Sequence, residues 1–171
     1  AGLWLGGRGG GETRVTKAYY SSEYGPGAML GSQPDDPAKP EYRVYKVVRW
    51  TGLAADSAHV ERTPAELGGD SPRDTLAHHS WSEYMAGAAP HGAPWRMYRL
   101  PNTATADPAD SLEVPGPDVM GDQMLWCVYN DADPALHTAY GGGTAPLGME
   151  VRQTTFAYDR PGPLGSTVFV R

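Results

Sequence analysis

The chain has 171 residues, enough for one domain with a modest hydrophobic core. Its formal net charge is −6, and no cluster of lysine and arginine is present, which argues against a nucleic-acid partner. No apolar stretch is long enough to span a membrane, and a single cysteine, Cys127, cannot form an internal disulfide.

Glycine and proline shape the expected architecture. The chain holds 22 glycines and 16 prolines without a collagen-like period, which predicts many turns and long irregular connections. Its aromatic residues are ten tyrosines and five tryptophans against two phenylalanines. Because tyrosine and tryptophan pair apolar bulk with a polar group, they suit partly buried sheet faces and protein interfaces.

The first predicted element is a β-hairpin at the N-terminus. Two β-prone runs, at residues 3–5 and 14–20, flank a glycine-rich stretch at residues 6–11. The glycines do not form a phosphate-binding loop, because no Lys-Ser/Thr ending and no helical pattern follow them.

A turn-rich segment and a strand come next. Residues 21–40 contain Pro34, Pro37 and Pro40, which predict an absence of regular structure. Residues 41–50 alternate as a strand with both faces of mixed polarity, typical of a strand partly covered on each side.

Two short helices and a second long loop occupy the middle of the chain. Thr63 with Pro64 and Glu66, and Ser80 with Glu83, have the spacing of helix-capping boxes. Residues 101–121 are rich in proline and aspartate and predict a loop, and long loops in compact domains usually carry function or contact a partner.

Three strands are predicted in the last third. Residues 123–131 form a continuous apolar run typical of a buried strand, whereas residues 148–159 alternate, and residues 166–171 form the last strand. The chain is therefore expected to be mainly β: one domain over residues 1–171, with an antiparallel, sandwich-like sheet, long Pro/Gly-rich loops and one or two short helices. Because it begins without methionine and ends within an apparent strand, we expect a processed or truncated part of a longer chain.

An ordered set of motifs resembles a known group of proteins. The set is AGLWLGG, RVTKAYYSSEYGPG, YRVYKVVR, SWSEYM, HGAP, GDQMLWCVYNDADPALH, APLGMEVRQTTFAYDR and LGSTVFVR. It is similar to the N-terminal β-rich region of large, mostly uncharacterised secreted bacterial proteins, many of which carry C-terminal sorting or immunoglobulin-like domains. The resemblance implies export to the periplasm, the cell surface or the exterior, and a β-rich fold. It implies no catalytic residue.

The most polar candidate site follows the apolar run of residues 123–131. Asn130, Asp131 and Asp133 place oxygen ligands at a spacing seen in calcium loops, although the glycine and closing glutamate of an EF-hand are missing. Alternatively the segment is the exit of a strand, with Asp133 capping a turn that begins at Pro134. A third alternative is a catalytic set of Asp131, Asp133 and His137. Calcium is the one cofactor that the sequence leaves open.

The sequence motifs for zinc binding and for nucleophilic catalysis are missing or incomplete. Zinc-binding spacings are absent around the five histidines, which are His59, His78, His79, His91 and His137. No G-x-S-x-G elbow accompanies the serines at positions 80 and 82. Cys127 lies in a predicted buried strand, where a thiolate is disfavoured. The sequence thus predicts that the protein is not an enzyme.

Aromatic residues beside glycine and proline supply the candidate interface. The selected residues are Tyr24, Trp81, Tyr84, Trp95 and Tyr98. They could anchor a protein partner, stack on sugar rings, or cover a small core. We expect a non-catalytic structural or interaction module, an extrinsic subunit docking on a larger protein assembly that could be membrane-embedded. The alternatives are a glycan-binding module and, less favoured, a cation-dependent hydrolase.

Overall fold

The computed structural model describes residues 3–17, 20–48, 92–101, 110–137 and 143–171. These residues are mainly β, with several antiparallel sheets, as the sequence predicts. The capping boxes at Thr63 and Ser80 lie outside the described residues. Among those that are described, no helix is both long and apolar enough to cross a membrane. The chain divides into two compact units, residues 1–43 with 127–152 and residues 44–126 with 153–171.

The first unit begins with the predicted hairpin. Strands β1 (Leu5–Gly9) and β2 (Glu12–Thr16) pair antiparallel, with Leu5 opposite Thr16. Gly10 and Gly11 form the two-residue turn with φ values of 63° and 86°. Two consecutive positive φ angles match a type I′ turn, whose twist suits a hairpin and which favours glycine at both positions. The hairpin at the N-terminus is therefore confirmed, with part of the glycine run inside β1.

Short elements fill the segment that the prolines mark as irregular. They are helix α1 (Tyr20–Glu23) and strands β3 (Gly25–Pro26), β4 (Met29–Leu30) and β5 (Gln33–Pro34). β4 and β5 pair with each other over two residues. The prediction that residues 21–40 lack regular structure is thus wrong in detail, because a two-residue ladder at a sheet edge can include a proline.

Strand β9 (Gln123–Asn130) is the predicted buried strand. Met124, Trp126 and Val128, which share one face, are almost fully buried. In the second unit its beginning pairs with β6 (Tyr45–Val48), and in the first unit its end pairs with β3. With β10 at Glu150–Ala157 and β11 at Val168–Val170, the sheet has the order β11-β10-β9-β3, and β6 is also paired to β9.

A second hairpin corrects the loop prediction. Strand β7 (Trp95–Pro101) pairs antiparallel with β8 (Ser111–Pro117) along its whole length. The prediction of a loop over residues 101–121 is therefore wrong for residues 111–117. Pro115 and Pro117 are compatible with β8 because it pairs only with β7 among the described strands, and edge strands tolerate proline.

The second unit ends with the last two strands. Strand β10 (Glu150–Ala157), which starts in the first unit, pairs with β11 (Val168–Val170) after a 3₁₀ helix (Pro163–Ser166). Phe156 stacks on Phe169 with ring centroids 5.1 Å apart, and Tyr158 contacts both rings edge-on. This aromatic cluster fixes the register of the terminal strand pair.

Candidate functional site

The polar residues after β9 lie in the first unit and are largely buried. The Asn130 side chain donates from Nδ2 to the carbonyl of Gly27 at 2.9 Å and accepts from the Ala132 N–H at 3.0 Å. Gly27 in turn donates its N–H to the Val128 carbonyl at 3.1 Å. Asn130 thus satisfies backbone groups on both sides of the strand end, through both the nitrogen and the oxygen of its side-chain amide.

Asp131 joins three separate segments through its carboxylate. Oδ1 accepts the Met149 N–H at 2.6 Å, and Oδ2 accepts the Leu147 N–H at 2.8 Å. Oδ2 also accepts the Thr16 hydroxyl at 2.5 Å. The side chain is completely buried, and its three donors offset the cost of removing a carboxylate from water. Asp131 therefore holds the segment before β10 against the ends of β2 and β9.

His137 reaches the same hydroxyl from the turn that follows. Its Nε2 lies 3.0 Å from the Oγ1 of Thr16, and its Nδ1 lies 2.9 Å from the carbonyl oxygen of Thr144. Thr144 is held to the backbone of Val15, accepting from its N–H and donating to its carbonyl. We call Thr16, Asp131 and His137 the polar relay.

Asp133 lies apart from this relay. Its Oδ1 accepts the Ala135 N–H at 2.8 Å, and its carbonyl accepts the Leu136 N–H at 3.2 Å. Asp133 thus caps the turn at residues 134–137, as the strand-exit alternative predicts. The catalytic alternative needs Asp131, Asp133 and His137 to converge, and only Asp131 and His137 do so.

The structure gives the cation alternative little to bind with. Of the three candidate ligands, Asn130 and Asp131 have their oxygens occupied by protein donors. Within the described ranges, no group of three or more His, Cys, Asp or Glu residues is arranged to hold a metal ion. The described oxygens therefore act as acceptors for the chain itself.

The relay is also closed to a substrate. Thr16 and Asp131 are 0% exposed and His137 is 4% exposed. A nucleophile must reach the reacting atom, and this hydroxyl is enclosed by its own partners. Sequence reasoning missed Thr16, because its partners are 115 and 121 positions away and no local pattern marks it.

The predicted interface residues differ in how far they are buried. Tyr24 is a correction: it is only 2% exposed, packs edge-on against Tyr129 at 5.3 Å, and donates its hydroxyl to the Leu3 carbonyl at 2.8 Å. Burial, with Tyr129, Asp131 and Glu23 nearby, raises the pKa of Tyr24 to about 12. It belongs to the core of the first unit.

Of the predicted interface residues whose side chains the structure describes, Trp95 is the one that reaches solvent. It is 65% exposed on β7, and Met97, two residues along the same face, is 47% exposed. Tyr98 lies in β7, but its side chain is outside the described set, as are Trp81 and Tyr84 altogether. The described range also omits the histidines at 59, 78, 79 and 91 and the serines at 80 and 82.

Cys127 is partly buried within β9. Burial raises the pKa of its thiol to about 11. Since the thiolate is the reactive form, the thiol is held in an unreactive state at neutral pH.

The chain matches no protein-family model, no curated protein sequence and no solved structure.

Proposed function

We propose that the protein is a non-catalytic interaction module whose partner contact is the face of β7 and β8 that carries Trp95 and Met97. The observation that carries this proposal is the exposure of these two large apolar side chains on one face of a hairpin. Side chains two apart on a strand point to the same side. Tryptophan and methionine are enriched at the centres of protein interfaces, and tryptophan is frequent among the residues that dominate binding energy.

The opposite strand extends this apolar face. Pro115 is the register partner of Met97, and it is exposed. Farther along, Arg99 and Glu113 are register partners and are also exposed. The Arg99 Nε donates to the Ser111 hydroxyl at 2.8 Å. An apolar centre beside a charged and polar end is the usual anatomy of a protein contact surface.

The alternative function, glycan binding, has one specific observation in its favour. The exposed Trp95 ring could stack on a sugar, as aromatic platforms do. Its nearest described neighbours on this face are Met97, Pro115 and its register partner Pro117, whose side chains donate no hydrogen bonds, whereas the polar pair Arg99 and Glu113 lies farther along the hairpin. This apolar setting favours a protein partner over a sugar.

The cellular setting is part of the proposal. The motif resemblance supports export to the periplasm, the cell surface or the exterior, where the domain would be an extrinsic subunit on a larger, membrane-embedded assembly. A sandwich-like packing of the antiparallel sheets is the arrangement that we propose for the fold. The Pro/Gly-rich composition supports a chain with many loops around such sheets.

A pair of exposed-surface variants tests the contact. Trp95→Ser combined with Met97→Ser removes the apolar face, and Leu30→Ser is the matched control, because Leu30 is exposed and apolar but lies on β4. Both variants should keep the wild-type stability to within about 0.5 kcal/mol, as exposed substitutions usually do.

The binding measurement is cross-linking in an envelope extract of the source organism, followed by mass spectrometry. The proposal expects a protein that wild type and the Leu30 variant capture equally, and that the hairpin variant captures at least about tenfold less. If every captured protein is indifferent to the hairpin variant, the proposal is wrong. Retention on a polysaccharide array that Trp95→Ser abolishes would instead support the glycan alternative.

A further inference from the structure

The hydrogen bonds of the polar relay require one more proton than a neutral imidazole, a neutral hydroxyl and an ionised carboxylate carry together. The Nδ1 of His137 faces the Thr144 carbonyl, which can only accept, so Nδ1 carries a proton. The other two contacts join Nε2 of His137 to Oγ1 of Thr16, and Oγ1 to Oδ2 of Asp131. The hydroxyl has a single proton for these two contacts.

With a neutral imidazole and an ionised carboxylate, one of these two contacts would have no proton between its two heavy atoms. Two lone pairs would then face each other in a fully buried site, where unpaired polar atoms are costly. A proton on Nε2 removes the conflict, since Nε2–H donates to Oγ1 and the hydroxyl donates to Asp131. The alternative position, on Asp131, is less favourable because the backbone N–H groups of Leu147 and Met149 already favour the ionised carboxylate.

We propose that His137 holds this additional proton in the folded protein, and that the proton stabilises the attachment of residues 144–149 to the ends of β2 and β9 within the first unit. The inference does not depend on the proposed function. In the charged state, the chain of donors runs without a break from His137 through Thr16 to Asp131. Asp131 then receives the N–H groups of Leu147 and Met149, while the Nδ1–H of His137 holds the Thr144 carbonyl.

Other ionisable groups surround the relay in the same unit. Arg14 donates to the Pro146 carbonyl at 2.9 Å, which is a second attachment of the same segment. Glu23 is completely buried, and its Oε2 accepts the Lys17 N–H at 2.5 Å. The remaining described ionisable side chains on β1, β2, β9, β10 and the residues beside them in this unit are Arg8, Glu12, Lys17, Tyr24, Cys127, Tyr129, Asp133, Glu150 and Arg152.

The direction of the pH effect follows from proton uptake on folding. An unperturbed imidazole in the unfolded chain titrates near pH 6.5. Above that pH the unfolded chain has lost the proton that the folded protein keeps. The stabilisation is therefore complete below about pH 6.5 and is lost progressively as the pH rises.

Nuclear magnetic resonance of the histidine ring tests the charge directly. In ¹⁵N-labelled wild type at pH 7.5, both ring nitrogens of His137 should show the shifts of protonated nitrogen. A ring with a bare Nε2 at that pH would overturn the proposal, whichever group then carried the relay proton.

Amide hydrogen exchange tests the attachment of residues 144–149. The protection factors of the Leu147 and Met149 N–H groups, corrected for intrinsic exchange, should fall by up to about tenfold per pH unit above pH 6.5. His137→Gln should flatten this dependence, and so should Thr16→Val. Thr16→Ser keeps the bridging hydroxyl and should therefore retain the pH dependence of the protection factors.

If His137→Gln fails to fold, the comparison of Thr16→Val with Thr16→Ser still tests the proposal. A purely structural role for the relay lowers protection at every pH and leaves the slope unchanged, whereas a proton-dependent role changes the slope. Protection factors in wild type that do not vary between pH 6 and pH 9 would rule the proposal out.

Discussion

Asp131 and Met149 are joined by a reciprocal pair of hydrogen bonds. The Asp131 N–H donates to the Met149 carbonyl at 3.2 Å, and the Met149 N–H donates to Oδ1 of Asp131 at 2.6 Å. The backbone and the side chain of Asp131 thus both bind the Met149 backbone just after the end of β9. A segment without regular secondary structure is held in place by these bonds, which is why the acidic stretch after β9 is structural.

Replacement of Asp131 should be among the most destabilising single changes in the described chain. Asp131→Ala leaves the Leu147 and Met149 N–H groups and the Thr16 hydroxyl without their acceptor in a buried site. We expect a loss of about 3 kcal/mol or more in the free energy of unfolding, measured by urea denaturation.

Asp133→Ala is the matched control for that prediction. Asp133 caps only one N–H of an exposed turn, so its loss should cost about 0.5–1 kcal/mol. Equal effects of the two substitutions would contradict the structural role assigned to Asp131.

Gly121 should tolerate no side chain. Its φ is +66°, and a Cβ atom there would lie 2.4 Å from the Ala157 carbonyl oxygen, which also accepts the Asp122 N–H. Gly121→Ala should therefore cost well over the roughly 1–2 kcal/mol of left-handed strain alone. Gly162→Ala, with φ +83° and open space around the new atom, supplies that strain without the clash. Thermal unfolding of the two variants compares them, and similar midpoints would count against the close approach.

Asp35 should give the protein an acid-sensitive contact. The Lys39 ammonium, at 2.7 Å, and then the Tyr42 hydroxyl lower the pKa of Asp35 to about 2. Because the folded pKa is below the ordinary value of about 3.9, this contribution is present above pH 4 and disappears as the pH falls toward 2. A carboxyl titration by ¹³C resonance should show the low pKa, and Lys39→Met should raise it. An Asp35 that titrates normally would refute the contact.

Cys127 should react slowly in the native protein. Burial raises the pKa of its thiol to about 11, so little thiolate exists at pH 8. We expect a thiol-specific colorimetric reagent to label Cys127 at least about a hundredfold faster in denaturant than in native buffer. Equal rates would show that the end of β9 is open to solvent.

Several features could be predicted from neighbouring residues alone. The Gly10 and Gly11 turn follows from the conformations that only glycine adopts easily, and the buried character of β9 follows from its apolar run. Asp133 caps its turn because its partner is two residues away. In each case the cause lies within a few positions of the chain.

Other features depended on residues far apart in the sequence. Pro115 and Pro117 suggested a loop, but pairing with β7 makes their segment a strand. The sequence around Tyr24 suggested a surface aromatic residue, but in the structure it packs against Tyr129 and donates a hydrogen bond to Leu3.

The sequence by itself determined the β-rich class, the first hairpin and the capped exit from β9, because these rest on local conformational preference and periodicity. Only the tertiary structure decided that Asp131, Thr16 and His137 meet. Their separations of 115 and 121 residues leave no local pattern, and burial then turned three polar side chains that could have faced solvent into obligatory partners.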